Sequence, residues 1–156
     1  EKGNSMLILD SVINVNRDQP YRMIELLRQH HPDLSGLKVA VLGLAFKPGT
    51  NDIRESASII IVRELIARGA VVTAFDPVAQ EEAEISLGKG AIQYASTVED
   101  CIREAQAILL MTSWPQFKEL PQQLADLSQN PLLIDGRRMI PKDSVAVYEG
   151  IGLTRS

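Results

Sequence analysis

The stretch Lys38-Val39-Ala40-Val41-Leu42-Gly43-Leu44-Ala45-Phe46-Lys47-Pro48-Gly49-Thr50-Asn51-Asp52-Ile53-Arg54-Glu55-Ser56 decides the fold. It reads as a buried strand, a glycine-bearing turn that holds a lysine, a polar loop ending in an arginine, and a helix start. That order brings two cations and a helix N-terminus to one sheet edge, where α/β proteins bind phosphate. The loop departs from the dinucleotide fingerprint: Gly43 stands at its first glycine, but Ala45 and Pro48 occupy the second and third places. A loop of this kind suits a phosphorylated ligand and disfavours NAD in its usual pose.

Working outward, strand and helix patterns alternate from Lys38 onward. Val39–Leu42 is a strand, and the helix after it carries Ile59, Ile60, Val62, Leu65 and Ile66 and stops at Gly69, a natural C-cap. Val71–Phe75 is a second strand closed by Asp76-Pro77, and a helix through Glu81–Leu87 leads to a short strand at Ile92–Tyr94. Thr97, with Asp100 three residues on, caps a helix through Ala105. Ala107–Met111 is a fourth strand of the apolar kind that parallel sheets bury on both faces. Trp114-Pro115 begins a helical stretch that Pro121 breaks or restarts, Leu132–Asp135 is a fifth strand, and Val145–Tyr148 a sixth. Strands joined through helices need right-handed crossovers, so the fold class is α/β: a Rossmann-like, doubly wound parallel sheet of about six strands.

A helical segment precedes it. Met6, Leu9, Val12 and Ile13, then Met23, Ile24, Leu26 and Leu27, recur at helical spacing, interrupted by Pro20: either Asp18 caps a second helix with Pro20 in its first turn, or Pro20 kinks one long helix. His30 to Gly36 reads as a linker, so residues 1–36 separate from 37–156. The adjacent His30 and His31 have no partner ligands at metal-binding spacing and are read as a solvated helix end.

Composition bounds the function. The 156 residues are 45% hydrophobic and 23% charged, ordinary globular values with room for a real core. A net charge of -4 and a pI near 5.2 argue against a nucleic-acid surface, so any anion site is local. The single Cys101 leaves no disulfide framework and reads as a small core residue, in keeping with a cytoplasmic protein. No apolar run approaches the roughly 18 residues of a membrane span. The opening Glu1-Lys2-Gly3 is expected to belong to a piece of a longer protein.

In a doubly wound sheet the ligand sits beyond the carboxyl ends of the strands. The residues there are Ala45, Phe46 and Lys47; Asp76; Thr112, Ser113 and Trp114; and Asp135, Gly136, Arg137 and Arg138. Lys47 and Arg137 are expected to converge on one phosphate, lysine as a point charge and arginine as a bidentate fork. Asp76 is open to two readings, a ribose-hydroxyl acceptor or a turn former. Asp52 and Glu55 suit the helix dipole as well as chemistry. No nucleophile–base pair, carboxylate dyad or metal site is visible.

Val41 to Ser56 resembles the signature that opens the C-terminal domain of the UDP-glucose/GDP-mannose dehydrogenase family. Further motifs follow in the family's order: Ala74-Phe75-Asp76-Pro77, Thr112-Ser113-Trp114 before Phe117, and Asp135-Gly136-Arg137 with Tyr148-Glu149-Gly150-Ile151-Gly152. The segment with Val15-Asn16 and Gln19 resembles the end of the family's central helical domain, which forms a homodimer. The resemblance implies an NAD-dependent oxidoreductase that oxidises the C6 hydroxyl of a nucleotide sugar to a carboxylate in two hydride steps, through a cysteine-bound thioester. It implies that Phe46, Lys47 and Arg137 contact the nucleotide sugar, that Arg54 reaches the NAD, and that NAD is held mainly by an N-terminal domain. UDP-glucose, converted to UDP-glucuronate, is the favoured substrate, with GDP-mannose and UDP-acetamidosugars as the alternatives; the tryptophan after strand four resembles the UDP-glucose and GDP-mannose branches more than the acetamido-sugar ones.

Two departures stand out. Arg138 occupies a place where the family often has asparagine, and Cys101 does not match the catalytic cysteine motif. The chain by itself is therefore expected to be inactive, with no catalytic residue of its own. The competing function class is a stand-alone, non-catalytic nucleotide-binding module on the same fold. Arg54 discriminates, since its implied role needs a second, NAD-bearing domain.

Overall fold

The computed structural model describes residues 20–151. Expectations for Met6, Leu9, Val12, Ile13, Val15, Asn16, Asp18, Gln19 and Gly152 lie outside the described residues. Six parallel strands form one sheet: β1 (Lys38–Leu42), β2 (Val71–Phe75), β3 (Gln93–Tyr94), β4 (Ala107–Leu110), β5 (Leu132–Asp135) and β6 (Tyr148–Gly150). Their spatial order is β3-β2-β1-β4-β5-β6. The chain thus winds outward from β1 to one edge and then returns to build the other, leaving a crevice where β1 meets β4.

Alternation along the strands sends side chains into two cores. Val39 and Val41, Ala107 and Leu109, and Leu132 and Ile134 face one layer, formed by α1 (residues 20–30), α2 (Ala57–Ala67) and α3 (Gln80–Leu87). Ala40 and Leu42, Ile108 and Leu110, and Leu133 face the other, formed by α4 (Val98–Ile102), a 3₁₀ turn (Pro115–Glu119) and α5 (Leu120–Ala125). Pro121 restarts the helix as expected, sitting in the first turn of α5 where its missing N–H costs nothing. Met23, Ile24 and Leu27 of α1 are buried in the same core as β1 and α2, so this helix packs directly on the sheet layer.

Local signals set the helix ends. Ser56 caps α2 by accepting from the Ser58 N–H, and Gly69, at φ 85, takes the left-handed conformation that ends it. Thr97 caps α4 by accepting from the Asp100 N–H at 3.1 Å, as its spacing predicts. The helix is shorter than expected, ending at Ile102 where a turn carries the chain into β4. Two further readings shift. In α2 the buried stripe runs through Ile59, Ile61, Val62 and Leu65, while Ile60 and Ile66 face solvent. The sixth strand is Tyr148–Gly150 rather than Val145–Tyr148, because Leu133, Ile134 and Asp135 of β5 pair with Tyr148, Glu149 and Gly150. No helix of the described residues is long and apolar enough to cross a membrane.

Candidate functional site

The site lies past the carboxyl ends of β1, β2, β4 and β5. Gly43 leaves β1 at φ 99, and a Cβ there would sit 2.4–2.6 Å from the Thr112 side chain and backbone nitrogen. Only glycine lets the loops after β1 and β4 lie this close. Two hydroxyls hold the contact: Ser58 Oγ donates to Gly43 O at 2.8 Å and Thr112 Oγ1 donates to Ala45 O at 2.9 Å. The loop then closes on itself, with Phe46 N–H donating to Asp52 O at 2.7 Å.

Two buried aspartates hold the surrounding loops. Asp76 Oδ2 accepts from Leu44 N at 2.8 Å, Ala45 N at 3.0 Å and Trp114 Nε1 at 3.2 Å, while Oδ1 accepts from Val78 N and Ala79 N, each at 2.9 Å. At β5, Asp135 Oδ1 accepts from Arg137 N at 3.0 Å, and Oδ2 accepts from Ile140 N at 2.8 Å and Tyr148 Oη at 3.1 Å. Burial, then the Asp135 charge, pushes the Tyr148 hydroxyl up to about 12.

The cations fall into two groups. Arg137 is exposed, yet its Nε donates to Met111 O at 2.7 Å and its Nη2 reaches Phe46 O at 3.5 Å. The remaining guanidinium donors make no hydrogen bond among the described residues. The structure thus brings Arg137 to the Phe46 carbonyl, which directly precedes Lys47 in the chain. Phe46 is 42% exposed, and Lys47 beside it makes no hydrogen bond or ion pair among the described residues. Arg54 is not part of this cluster. Its guanidinium grips Asp52, with Nε to Oδ1 at 3.1 Å and Nη2 to Oδ2 at 2.9 Å, and its side chain is 87% exposed. Those bonds hold the Asp52 carboxyl down to about 2.

A cleft of about 40 Å³ between α1 and the strand ends, bordered by Ala45, Ser56, Met111 and Arg137, is too small for a nucleotide. A hollow of about 290 Å³ lies near Lys38, Asp100, Arg103 and Glu104, at the opposite ends of the strands. Its charges are satisfied by the Lys38–Glu104 and Arg103–Asp100 pairs. The open edge around Phe46, Lys47 and Arg137 is left as the candidate site.

The two aspartate devices were not readable from sequence as such, because their partners lie far along the chain. Asp76 and Asp135 both end apolar strand runs, and that position is the only local signal of them. Ser58 carried none. His30, expected to be solvated, sits 2.9 Å from Glu149 Oε1 and ties the end of α1 to β6. Cys101 is buried, as expected of a core residue.

The fold and this edge define a doubly wound α/β domain with a modified glycine loop at the carboxyl end of β1. Residues 40–142 match the model of the UDP-glucose/GDP-mannose dehydrogenase family, UDP binding domain, and the chain belongs to this family. It is 39% identical over 150 residues to the UDP-glucose 6-dehydrogenase AglM of Haloferax volcanii, covering 96% of this chain and 34% of that protein. It is 35% identical over 137 residues to YwqF of Bacillus subtilis, also a UDP-glucose 6-dehydrogenase, covering 87% and 31%. Among solved structures, a UDP-glucose dehydrogenase from Pyrobaculum islandicum superposes with a TM-score of 0.83 at 33% identity, over 96% of this chain and 33% of that one. The chain spans about a third of the length of these relatives.

Proposed function

We propose that this chain is the substrate-binding domain of an NAD-dependent UDP-glucose 6-dehydrogenase, with Phe46, Lys47 and Arg137 contacting the nucleotide sugar. The observation that carries the reading is the Arg137 guanidinium, bonded to Met111 O and reaching Phe46 O, beside a Lys47 that makes no hydrogen bond or ion pair among the described residues. A diphosphate lying along this edge meets a fork and a point charge together, each charge-assisted contact being worth about 1.5–3 kcal/mol. The relatives named as UDP-glucose 6-dehydrogenases support UDP-glucose over the other sugars.

The residues present do not fit NAD in its usual pose. Ala45 and Pro48 replace two fingerprint glycines, and both Asp76 oxygens already accept protein donors. On this reading NAD is held by another part of the enzyme, where it supplies the hydride acceptor, and Arg54 extends toward it once released from Asp52. The catalytic cysteine also lies elsewhere, the cytoplasm is the working compartment, and the complete enzyme is a homodimer.

Calorimetric titration of the chain with UDP, UDP-glucose, GDP-mannose and NAD tests this. UDP compounds are expected to bind, with affinity about tenfold lower in Lys47→Ala, which corresponds to about 1.4 kcal/mol. Binding of NAD alone, or UDP affinity untouched by Lys47→Ala, would sink the reading.

A further inference from the structure

We propose that Asp76 is the positioning residue of this site: its carboxylate sets the loops after β1 and β4 for the ligand and, in doing so, closes the end of β2 to a dinucleotide ribose. The proposal rests on the nucleotide-sugar reading above for what the loops bind.

In dinucleotide domains an acidic residue at this end of the second strand accepts from ribose hydroxyls. Asp76 stands at the corresponding place, immediately after β2, but it is only 3% exposed and accepts from five protein donors. A carboxylate offers about four lone-pair sites, so none remains for a ribose.

A plain Asp-Pro turn accounts for part of this. Oδ1 takes the N–H groups of Val78 and Ala79, two and three residues on, which is ordinary local turn chemistry. It does not account for Oδ2, whose donors are Leu44, Ala45 and the Trp114 indole, 31 to 38 residues away. Leu44 and Ala45 directly precede Phe46 and Lys47. Ala45 is gripped from both sides, its N–H by Asp76 and its carbonyl by Thr112 Oγ1. The next carbonyl, Phe46 O, is the one that Arg137 reaches. The direction in which the Phe46–Lys47 peptide leaves the sheet is thus set by one buried carboxylate, which also anchors Trp114 on the neighbouring loop.

Trp114 is the single tryptophan, so its indole N–H resonance reports on Oδ2 without interference. The test compares the chain with Asp76→Asn by NMR and by UDP titration. An amide cannot accept on both sides, so the expected result is a displaced indole N–H resonance or faster exchange at Val78 and Ala79. Exchange at Leu44 and Ala45 is expected to rise about tenfold, and UDP affinity to fall about tenfold. Thr97→Ala, which removes the N-cap of α4 and none of the Asp76 donors, is expected to leave UDP affinity unchanged. Unaltered amide and indole signals in Asp76→Asn overturn the proposal, as does UDP affinity unchanged when the parent chain binds UDP normally. NAD binding that shifts the Val78 and Ala79 amides overturns it too. If the parent chain ignores UDP, the nucleotide-sugar reading fails, and the indole and amide signals still decide the clamp. Should Asp76→Asn not fold, Trp114→Phe takes away one donor and is expected to weaken UDP binding several-fold; unchanged affinity and unchanged Leu44 and Ala45 exchange overturn the proposal.

Discussion

At the scale of single residues, the tightest constraint is the approach of Gly43 to Thr112. Gly43→Ala is expected to destabilise the chain by about 2–4 kcal/mol, adding overpacking to a left-handed backbone penalty. Thr112→Ala is not expected to rescue it, because the Thr112 backbone nitrogen, at 2.6 Å, remains in the way. Thermal melts of the single and double variants check this, and full rescue would show that the loops can separate. Arg138 is the other special residue, at φ 52, where a side chain larger than that of asparagine or aspartate is uncommon. The turn holding it is wound around one carboxylate, since Arg137 N–H and Ile140 N–H both donate to Asp135. That winding demands a left-handed residue, and the asparagine often found there in the family suits it. Asp76 was the residue whose meaning sequence left open. Its position after a strand was visible, but whether its oxygens face a ligand or backbone depends on loops 31 residues upstream and 38 downstream.

Elements were legible where burial is two-sided. Val39–Leu42, Ala107–Leu110 and Leu132–Asp135 are central strands whose apolar runs leave little choice of assignment. Ile59-Ile60-Ile61-Val62 was less decisive, because four consecutive apolar residues cover the whole helix circumference and only docking on the sheet selects Ile61 over Ile60. The edge strand β6 was misplaced for a related reason. It has one neighbour, so its position depends on pairing with β5 and on the Tyr148 hydroxyl finding Asp135, and neither is written in local pattern. That hydroxyl makes β6 sensitive to alkali. Its pKa is raised in the fold from 10.0 to about 12, so the stability it adds is complete below about pH 10 and is lost as pH climbs toward 12. The difference in unfolding free energy between the chain and Tyr148→Phe is expected to be constant near neutrality and to shrink across that window. A difference that stays flat to pH 12 would mean that burial and Asp135 together do not hold the hydroxyl protonated in the fold.

At the scale of the whole molecule, charged side chains are distributed along the strand axis. Amino ends carry paired charges, Lys38 with Glu104 and Arg103 with Asp100; carboxyl ends carry Lys47 and Arg137 on an open rim. That polarity explains how a chain of net charge -4 can present a cationic edge. Fold class followed from strand order, whereas the pairing of Arg54 with Asp52 and the approach of Arg137 to Phe46 O needed three dimensions. One further feature gives the molecule a built-in clock. Cys101 lies on the buried face of α4, 3% exposed, its thiol donating to Thr73 O at 3.4 Å and pushed by burial up to about 12. A thiol dye reacts with thiolate, so it meets this sulfur only in molecules whose α4 has lifted from the sheet. Labelling is expected to run about a thousandfold or more slower than for a free cysteine and to accelerate in step with denaturant, so that a mixing cell and a coloured reagent count opening events one sulfur at a time.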